Sequence, residues 1–288
     1  MSDLCNLCPR KCNVPRGEGF CGMGENPVIA RAAPHFDEEP VISGKRGSGA
    51  IFFSGCSLRC VFCQNAPISH GKFGREISVE RLRRIYDELA DLGVHNINLV
   101  NPTHYAKAIL ESLRDFDRLP VVWNSGGYER VETLRSLEGK ISVFLPDLKY
   151  IDPEISIRYS GAADYFEYAA PALKEMLRQT GPVKLDENGM IVSGTIVRHL
   201  MLPGRAEESK RILTWIRENL PGAWVSLMAQ YMPMGQVRGL DELERRLMRD
   251  EYEEVCDHML SLGIEDGFVQ EMESSDSRYI PLWDLTGV

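Results

Sequence analysis

The chain has 288 residues, 43% of them hydrophobic, enough to bury a substantial core in one large domain or two ordinary ones. A formal charge of -9 and a pI near 5.3 argue against a nucleic-acid protein, which would carry a basic face. The apolar runs are far shorter than a membrane span and the polar N-terminus does not read as a secretory signal. A cytoplasmic protein is therefore expected, whose eight cysteines point to metal ligation rather than disulfides.

Residues 1–48 show no clear periodicity and are rich in Cys, Pro and Gly, so they are expected to form a separate N-terminal segment. In it Cys5, Cys8, Cys12 and Cys21 form a four-thiol set with Arg10, Lys11 and Arg16 nearby to offset thiolate charge. Four thiolates suit a closed tetrahedral Zn2+ site or a fully ligated auxiliary iron-sulfur cluster, and so short a segment needs a metal to fold. From Ala50 onward, short apolar runs alternate with amphipathic stretches. Strands are expected at 50–54, 95–100, 119–123, 141–145, 195–202 and 224–228. Between the first two, Val79, Leu82, Ile85, Leu89 and Leu92 recur at helical spacing, with Ser78 as N-cap and Gly93 as stop. Tyr105, Ile109, Leu113 and Phe116 mark another helix, Asp152-Pro153 a helix start, and Ile212, Trp215 and Ile216 a further helix. Residues 182–193 read as a small hairpin ahead of the fifth strand. Six alternations imply an α/β fold, a partial (β/α)6 TIM-like barrel over 49–235 with its site at the C-terminal strand ends. Residues 236–288 are expected to add a helix over about 241–262 and a tail packed on the core.

The loop after the first strand carries the chemistry. Cys56, Cys60 and Cys63 stand as Cys-x3-Cys-x2-Cys directly after Ala50-Ile51-Phe52-Phe53. Three thiolates on one loop can ligate three irons of a [4Fe-4S] cube and leave the fourth open to a small molecule. A zinc knuckle would want paired ligands that do not follow locally, and a disulfide would leave one thiol over. The spacing, with Phe62 just before the third cysteine, resembles the signature of radical S-adenosylmethionine (SAM) enzymes.

SAM presents an amino-acid end, a ribose and an adenine, and each strand should end in groups that meet them. The second strand ends in Asn101-Pro102-Thr103-His104, the third in Asn124-Ser125-Gly126-Gly127, the fourth in Asp147-Leu148-Lys149 and the sixth in Gln230-Tyr231; the fifth holds Arg198 and His199. Lys149 and Arg198, on adjacent strands, can supply cations for the carboxylate, and the Asn101–Thr103 stretch acceptors for the amino group. Phe62 can stack on the adenine, and the small residues at 125–127 let backbone approach the ligand. Alternation puts Arg198 inward and His199 toward the helices. His104 is read as either a site residue or a helix cap.

Residues 49 to about 235 resemble the activating enzymes of glycyl radical enzymes, of the pyruvate formate-lyase activating type. The likeness rests on Gly55-Cys56-x3-Cys60-x2-Cys63-Gln64-Asn65, on Asp147-Leu148-Lys149 and on Val197-Arg198-x4-Pro203-Gly204. It implies that Asp147, Lys149 and Arg198 help hold the SAM carboxylate. It also implies reductive cleavage of SAM to a 5'-deoxyadenosyl radical, an electron donor such as flavodoxin or ferredoxin, and a protein or peptide as one class of substrate. The family's Gly-Gly-Glu after the second strand is replaced by Asn101-Pro102-Thr103-His104, and its strand-six Pro-Tyr-His by Gln230-Tyr231-Met232-Pro233, as in a side branch. The residues alone leave open an iron-sulfur electron carrier or redox sensor without SAM cleavage, and a zinc-stapled binding module.

Overall fold

A computed structural model describes residues 4–276 and 279–288. Its strands are β1 (Val28–His35), β2 (Ser48–Phe53), β3 (Arg75–Glu76), β4 (Ile97–Val100), β5 (Val121–Ser125), β6 (Val143–Pro146), β7 (Lys184–Leu185), β8 (Ile191–Leu200), β9 (Trp224–Met228) and β10 (Gly267–Val269). Its helices are α1 (Pro40–Ser43), α2 (Ala66–Ser69), α3 (Val79–Asp91), α4 (Ala106–Ser112), α5 (Val131–Ser136), α6 (Pro153–Ser160), α7 (Tyr165–Thr180), α8 (Ala206–Asn219) and α9 (Arg249–Ser261). The sheet runs β10-β9-β8-β6-β5-β4-β2-β1-β3. Every pair from β2 through β10 along that order is parallel, while β1 is antiparallel to β2 and β3. This is an α/β fold consistent with a partial barrel, with six expected strands present as β2, β4, β5, β6, β8 and β9.

Period-two alternation sorts each strand into a helix-facing and a lumen-facing row. Ile51, Phe53, Ile97, Leu99, Trp123, Phe144, Val197 and Leu227 join the large core shared with the helices. The opposite row, Val122, Val143, Leu145 and Ile196, closes together with Ile191 on Val41 and Ile42 of α1, so α1 plugs the lumen from below. Ser78 caps α3 by accepting the Arg81 N–H at 3.2 Å, and Asp152 caps α6 from the Glu154 N–H at 2.8 Å. The hairpin is present, β7 pairing antiparallel with the start of β8.

Three features depart from the sequence expectation. β1 lies in the segment set apart as 1–48, yet it belongs to the sheet and pairs with β2 from His35 back to Ile29. A seventh parallel strand, β10, extends the far edge. The expected helix over 241–262 is a 3-10 turn at Asp241–Leu243 followed by α9, because the Glu251 carboxylate takes the Met248 N–H at 2.7 Å and starts a new helix there. The tail packs along β1: Ala32 donates to the Thr286 carbonyl at 2.8 Å and Leu285 to Ala30 at 3.1 Å. Among the described residues no helix is long and apolar enough to cross a membrane.

Candidate active site

The parallel strands end on one cavity. Its walls include Cys56, Cys60, Phe62 and Cys63 from the loop after β2, Asn101 after β4, Asn124 and Ser125 of β5, Asp147 and Lys149 after β6, Arg198 of β8 and Gln230 after β9. The sequence therefore brought eleven of its candidate residues to one mouth, the one where a parallel barrel carries its chemistry.

Each sulfur of the cysteine loop has a hydrogen-bonding neighbour. The Leu58 N–H points at Cys56 Sγ at 3.3 Å, the Ser160 hydroxyl at Cys60 Sγ at 3.0 Å, and the Ser69 hydroxyl lies 3.3 Å from Cys63 Sγ. Donors of this kind suit thiolates. Without a metal, burial raises the Cys56 thiol and pushes the Cys63 thiol up to about 12, with the neighbouring cysteines adding to both rises. Converging thiols that repel one another as anions are a donor set that a cationic cluster stabilises, since binding releases their protons. The residues present thus fit a [4Fe-4S] cluster.

Opposite the thiols lies a charged network. Asp147 Oδ2 is 2.5 Å from Lys149 Nζ and Oδ1 accepts from Arg198 Nε at 3.0 Å. Burial would raise the Asp147 carboxyl, but the Lys149 and Arg198 charges outweigh it and hold it below its ordinary value. Burial would likewise lower Lys149, and Asp147 more than offsets this, leaving it raised. Arg198 is engaged through all three of its nitrogens: beside Asp147, it donates to Glu38 Oε2 at 3.1 Å and to Asn124 Oδ1 at 2.5 Å. His199 faces the other way, as alternation predicts, between the Leu148 carbonyl and the Ser209 hydroxyl, both at 2.8 Å. The Tyr165 hydroxyl accepts the Lys149 N–H at 3.0 Å and lies 2.9 Å from the Gly126 and Asp147 carbonyls, so it clamps the two strand ends.

Other candidate positions take different parts. Thr103 and His104 do not line the cavity. They are buried behind it, Thr103 donating to Glu129 Oε1 at 2.7 Å and His104 Nε2 contacting the Ser54 carbonyl at 2.7 Å. The turn at Asn101, which takes a left-handed φ of 59°, rotates the chain so that the next residues enter a 3-10 helix beneath the mouth. Asn101 itself holds the cysteine loop by donating to the Gly55 carbonyl. Phe62 lines the cavity but stands edge-on to Tyr159 and Tyr231, with centroids 6.3 and 6.1 Å away. Gln230 accepts from Gln270 Nε2 at 3.1 Å. Among residues not anticipated, Glu38 is the most telling: it pairs with Arg198 from 160 positions away and accepts amides from Asn98 and Asn124, each at 3.1 Å. The Asp37-Glu38-Glu39 run was visible as composition, but nothing local tied it to β8.

The N-terminal thiols also gather. Cys5, Cys8 and Cys21 are buried, Cys12 is half-buried, and burial pushes the Cys8 thiol to about 12 with Cys21, Cys5 and Cys12 adding to the rise. Arg16 reaches Cys5 Sγ and the Phe20 N–H reaches Cys12 Sγ, both at 3.3 Å. Among the described residues, the loop cysteines Cys56, Cys60 and Cys63 included, no three His, Cys, Asp or Glu side chains sit as a ready single-ion site, so a metal at either cysteine set would require its thiols to close in on binding. Arg10 fastens the segment to the main loop, donating to the Ser57 carbonyl at 2.8 Å and the Ser160 carbonyl at 2.9 Å, with its guanidinium 4.1 Å from the Phe20 centroid.

A family model described as Radical SAM superfamily matches residues 50–216. A relative, the uncharacterized protein MJ0674 of Methanocaldococcus jannaschii, is 31% identical over 265 residues, 88% of this chain and 73% of that protein. Among solved structures, SuiB of Streptococcus suis bound to precursor peptide SuiA superposes with a TM-score of 0.52 at 15% identity, over 75% of this chain and 47% of that one. SuiB bound to S-adenosylmethionine gives 0.50 at 15% identity, over 75% and 45%. The chain thus spans just under half the length of SuiB, and likeness at that identity is one of fold.

Proposed function

The chain belongs to the radical SAM superfamily, and on that premise we propose that Cys56, Cys60 and Cys63 hold a [4Fe-4S] cluster whose open iron binds SAM in the cavity at the strand ends. The observation that supports this reading is convergence: three thiols from one loop and the Asp147, Lys149 and Arg198 network from two other strand ends share one cavity. Bound together, cluster and SAM supply one-electron cleavage of the sulfonium and hydrogen abstraction from a substrate carbon.

The chain's own residues bind, orient and exclude water. Lys149, paired to a single carboxylate oxygen, keeps N–H groups for the SAM carboxylate. Arg198 acts as a positioning residue, because its hydrogen bonds fix Asp147, Glu38 and Asn124. Leu58, Phe62, Met228 and Tyr231 give the cavity an apolar wall that keeps water from the reacting atoms, with Phe62 beside the adenine. Thr103 and His104 act from behind the cavity, Thr103 through Glu129 and His104 through the Ser54 carbonyl at the root of the cysteine loop.

The Asp147-Leu148-Lys149 and Val197-Arg198 motifs favour an activating-enzyme-like oxidoreductase acting on a protein or peptide. Such a catalyst takes electrons from a carrier of the flavodoxin or ferredoxin kind, in the reducing cytoplasm. We assign a second metal, zinc or iron-sulfur, to Cys5, Cys8, Cys12 and Cys21. Electron paramagnetic resonance of the reduced, reconstituted protein tests the central assignment. Adding SAM is expected to change the cluster signal, and a signal indifferent to saturating SAM would overturn it.

A further inference from the structure

Beside Arg198 the cavity adjoins a second one, its deep end, lined by Asp37, Glu38, Glu39 and Gly267 to Gln270. Asp37, Glu38, Arg198, Met228 and Gln230 border both. Among the described residues the sheet ends at β10 and no pairing links β10 to β3, which leaves a seam beside this deep end.

The acids here differ in their engagements. Glu38 is committed to Arg198, Asn98 and Asn124. Glu39 is only 8% exposed, and its Oε2 is buried without a hydrogen-bond partner. Burial raises the Glu39 carboxyl, Arg198 opposes the rise, Glu38 adds to it, and hydrogen bonds from its own backbone and from the Ser226 side chain oppose it, so Oε2 is the oxygen left without a donor. Asp37 is exposed at the rim. Around the two adjoining cavities stand the carboxyl groups of Asp37, Glu38, Glu39 and Asp147 against the cations of Lys149 and Arg198, and both cations are already bound to Asp147. A buried carboxylate oxygen with no donor is costly, and a surplus of negative charge in a half-enclosed cavity rejects anions. A positively charged donor removes both costs. SAM is not that donor, because its amino-acid end is assigned to the cluster and Lys149.

We propose that the deep end of the cavity is a subsite for a cationic group of the substrate, an ammonium or guanidinium, held by Glu39 with Asp37 at the rim. This rests on the reading of the mouth as a SAM-dependent active site and names the substrate class that the site selects. In a peptide the matching group is a lysine or arginine side chain, with the carbon to be attacked lying between it and the cluster.

Calorimetry on the reconstituted full chain with SAM present tests this with three probes: Nα-acetyl-lysine methylamide, Nα-acetyl-arginine methylamide and the neutral Nα-acetyl-norleucine methylamide. At least one cationic probe is expected to bind about tenfold or more tightly than the norleucine probe, as a charge-assisted hydrogen bond allows. Glu39→Gln is expected to abolish that preference and Glu39→Asp to keep part of it. Equal affinities for all three probes in the wild type overturn the proposal without any variant, and so does a preference that survives in folded Glu39→Gln. Titration of SAM into the same wild-type protein separates the two readings. No SAM binding sinks the active-site reading, whereas SAM binding without cation preference sinks only the subsite.

Discussion

Lys149 and Arg198 were read together from the sequence as cations for one carboxylate, and they differ in how far the protein already engages them. Lys149 has a single carboxylate partner, while each of the three guanidinium nitrogens of Arg198 has a partner of its own. Lys149→Ala is therefore expected to leave iron content unchanged and weaken SAM binding about tenfold, the scale of one charge-assisted hydrogen bond. Equal SAM affinity in an equilibrium titration would contradict that role. Arg198→Ala should instead cost stability, roughly 3 kcal/mol, because it takes the paired cation from buried Glu38 and leaves Asp147 with Lys149 alone; denaturant unfolding measures it. Titration belongs to this scale as well. Burial lowers His104 and His199 to about 4, so the stability they contribute is present above their ordinary value of 6.5 and is lost as pH falls toward 4. Each contributes on the order of 3 kcal/mol. Burial raises Glu129 to about 6, which works the other way, adding stability below its ordinary 4.5 that is lost as pH rises through 6; the effect is on the order of 2 kcal/mol. The histidines prevail, so the unfolding midpoint of the metal-free protein should drop between pH 6.5 and 4, and a flat profile would refute this balance.

At the scale of elements, the strand ends were legible because parallel strands buried on both faces advertise themselves as apolar runs that stop at polar residues. What happens one or two residues past each end was not. After β4 the chain turns at Asn101 and buries Thr103 and His104; after β5 Gly127 allows a close approach that no spacing rule reveals. Gly127 sits at φ 75°, and a Cβ there would stand 2.1 Å from the Asp147 carbonyl oxygen. Gly127→Ala is expected to destabilise the fold by at least about 2 kcal/mol, read as a lowered denaturation midpoint, and to weaken SAM binding by moving Asp147 and Lys149. An unshifted midpoint would show that the strand ends can spread. β1 escaped notice for a related reason. Its sequence, VIARAAPH, mixes Ala, Arg and Pro, and only its pairing with β2 and the C-terminal tail makes it a strand.

Over the whole molecule, the barrel class followed from six strand–helix alternations, while the pieces that fill and flank it depended on contacts distant in sequence. Glu38 and Glu39, just ahead of the α1 plug, line the cavities at the strand ends, and the N-terminal cysteines reach the cluster loop through Arg10. The Arg10 guanidinium touches Ser57 and Ser160, and the Ser160 hydroxyl donates to Cys60, so the two cysteine sets are joined by a chain of hydrogen bonds. Chelating or mutating the N-terminal set, with Cys8→Ala as the mildest case, is expected to expose residues around Ser57 to hydrogen exchange. Unchanged protection there would show that the segment is independent.

The account turns on cleavage of SAM at the cluster, and an anaerobic assay reads this directly. The protein is reconstituted with iron and sulfide, reduced and given SAM, and 5'-deoxyadenosine is quantified beside a Cys56→Ala variant with iron counted in both. The wild type should release 5'-deoxyadenosine and the variant none. A wild-type protein that carries its full iron yet never cleaves SAM, whatever the reductant, would contradict the account and leave an iron-sulfur electron carrier in its place.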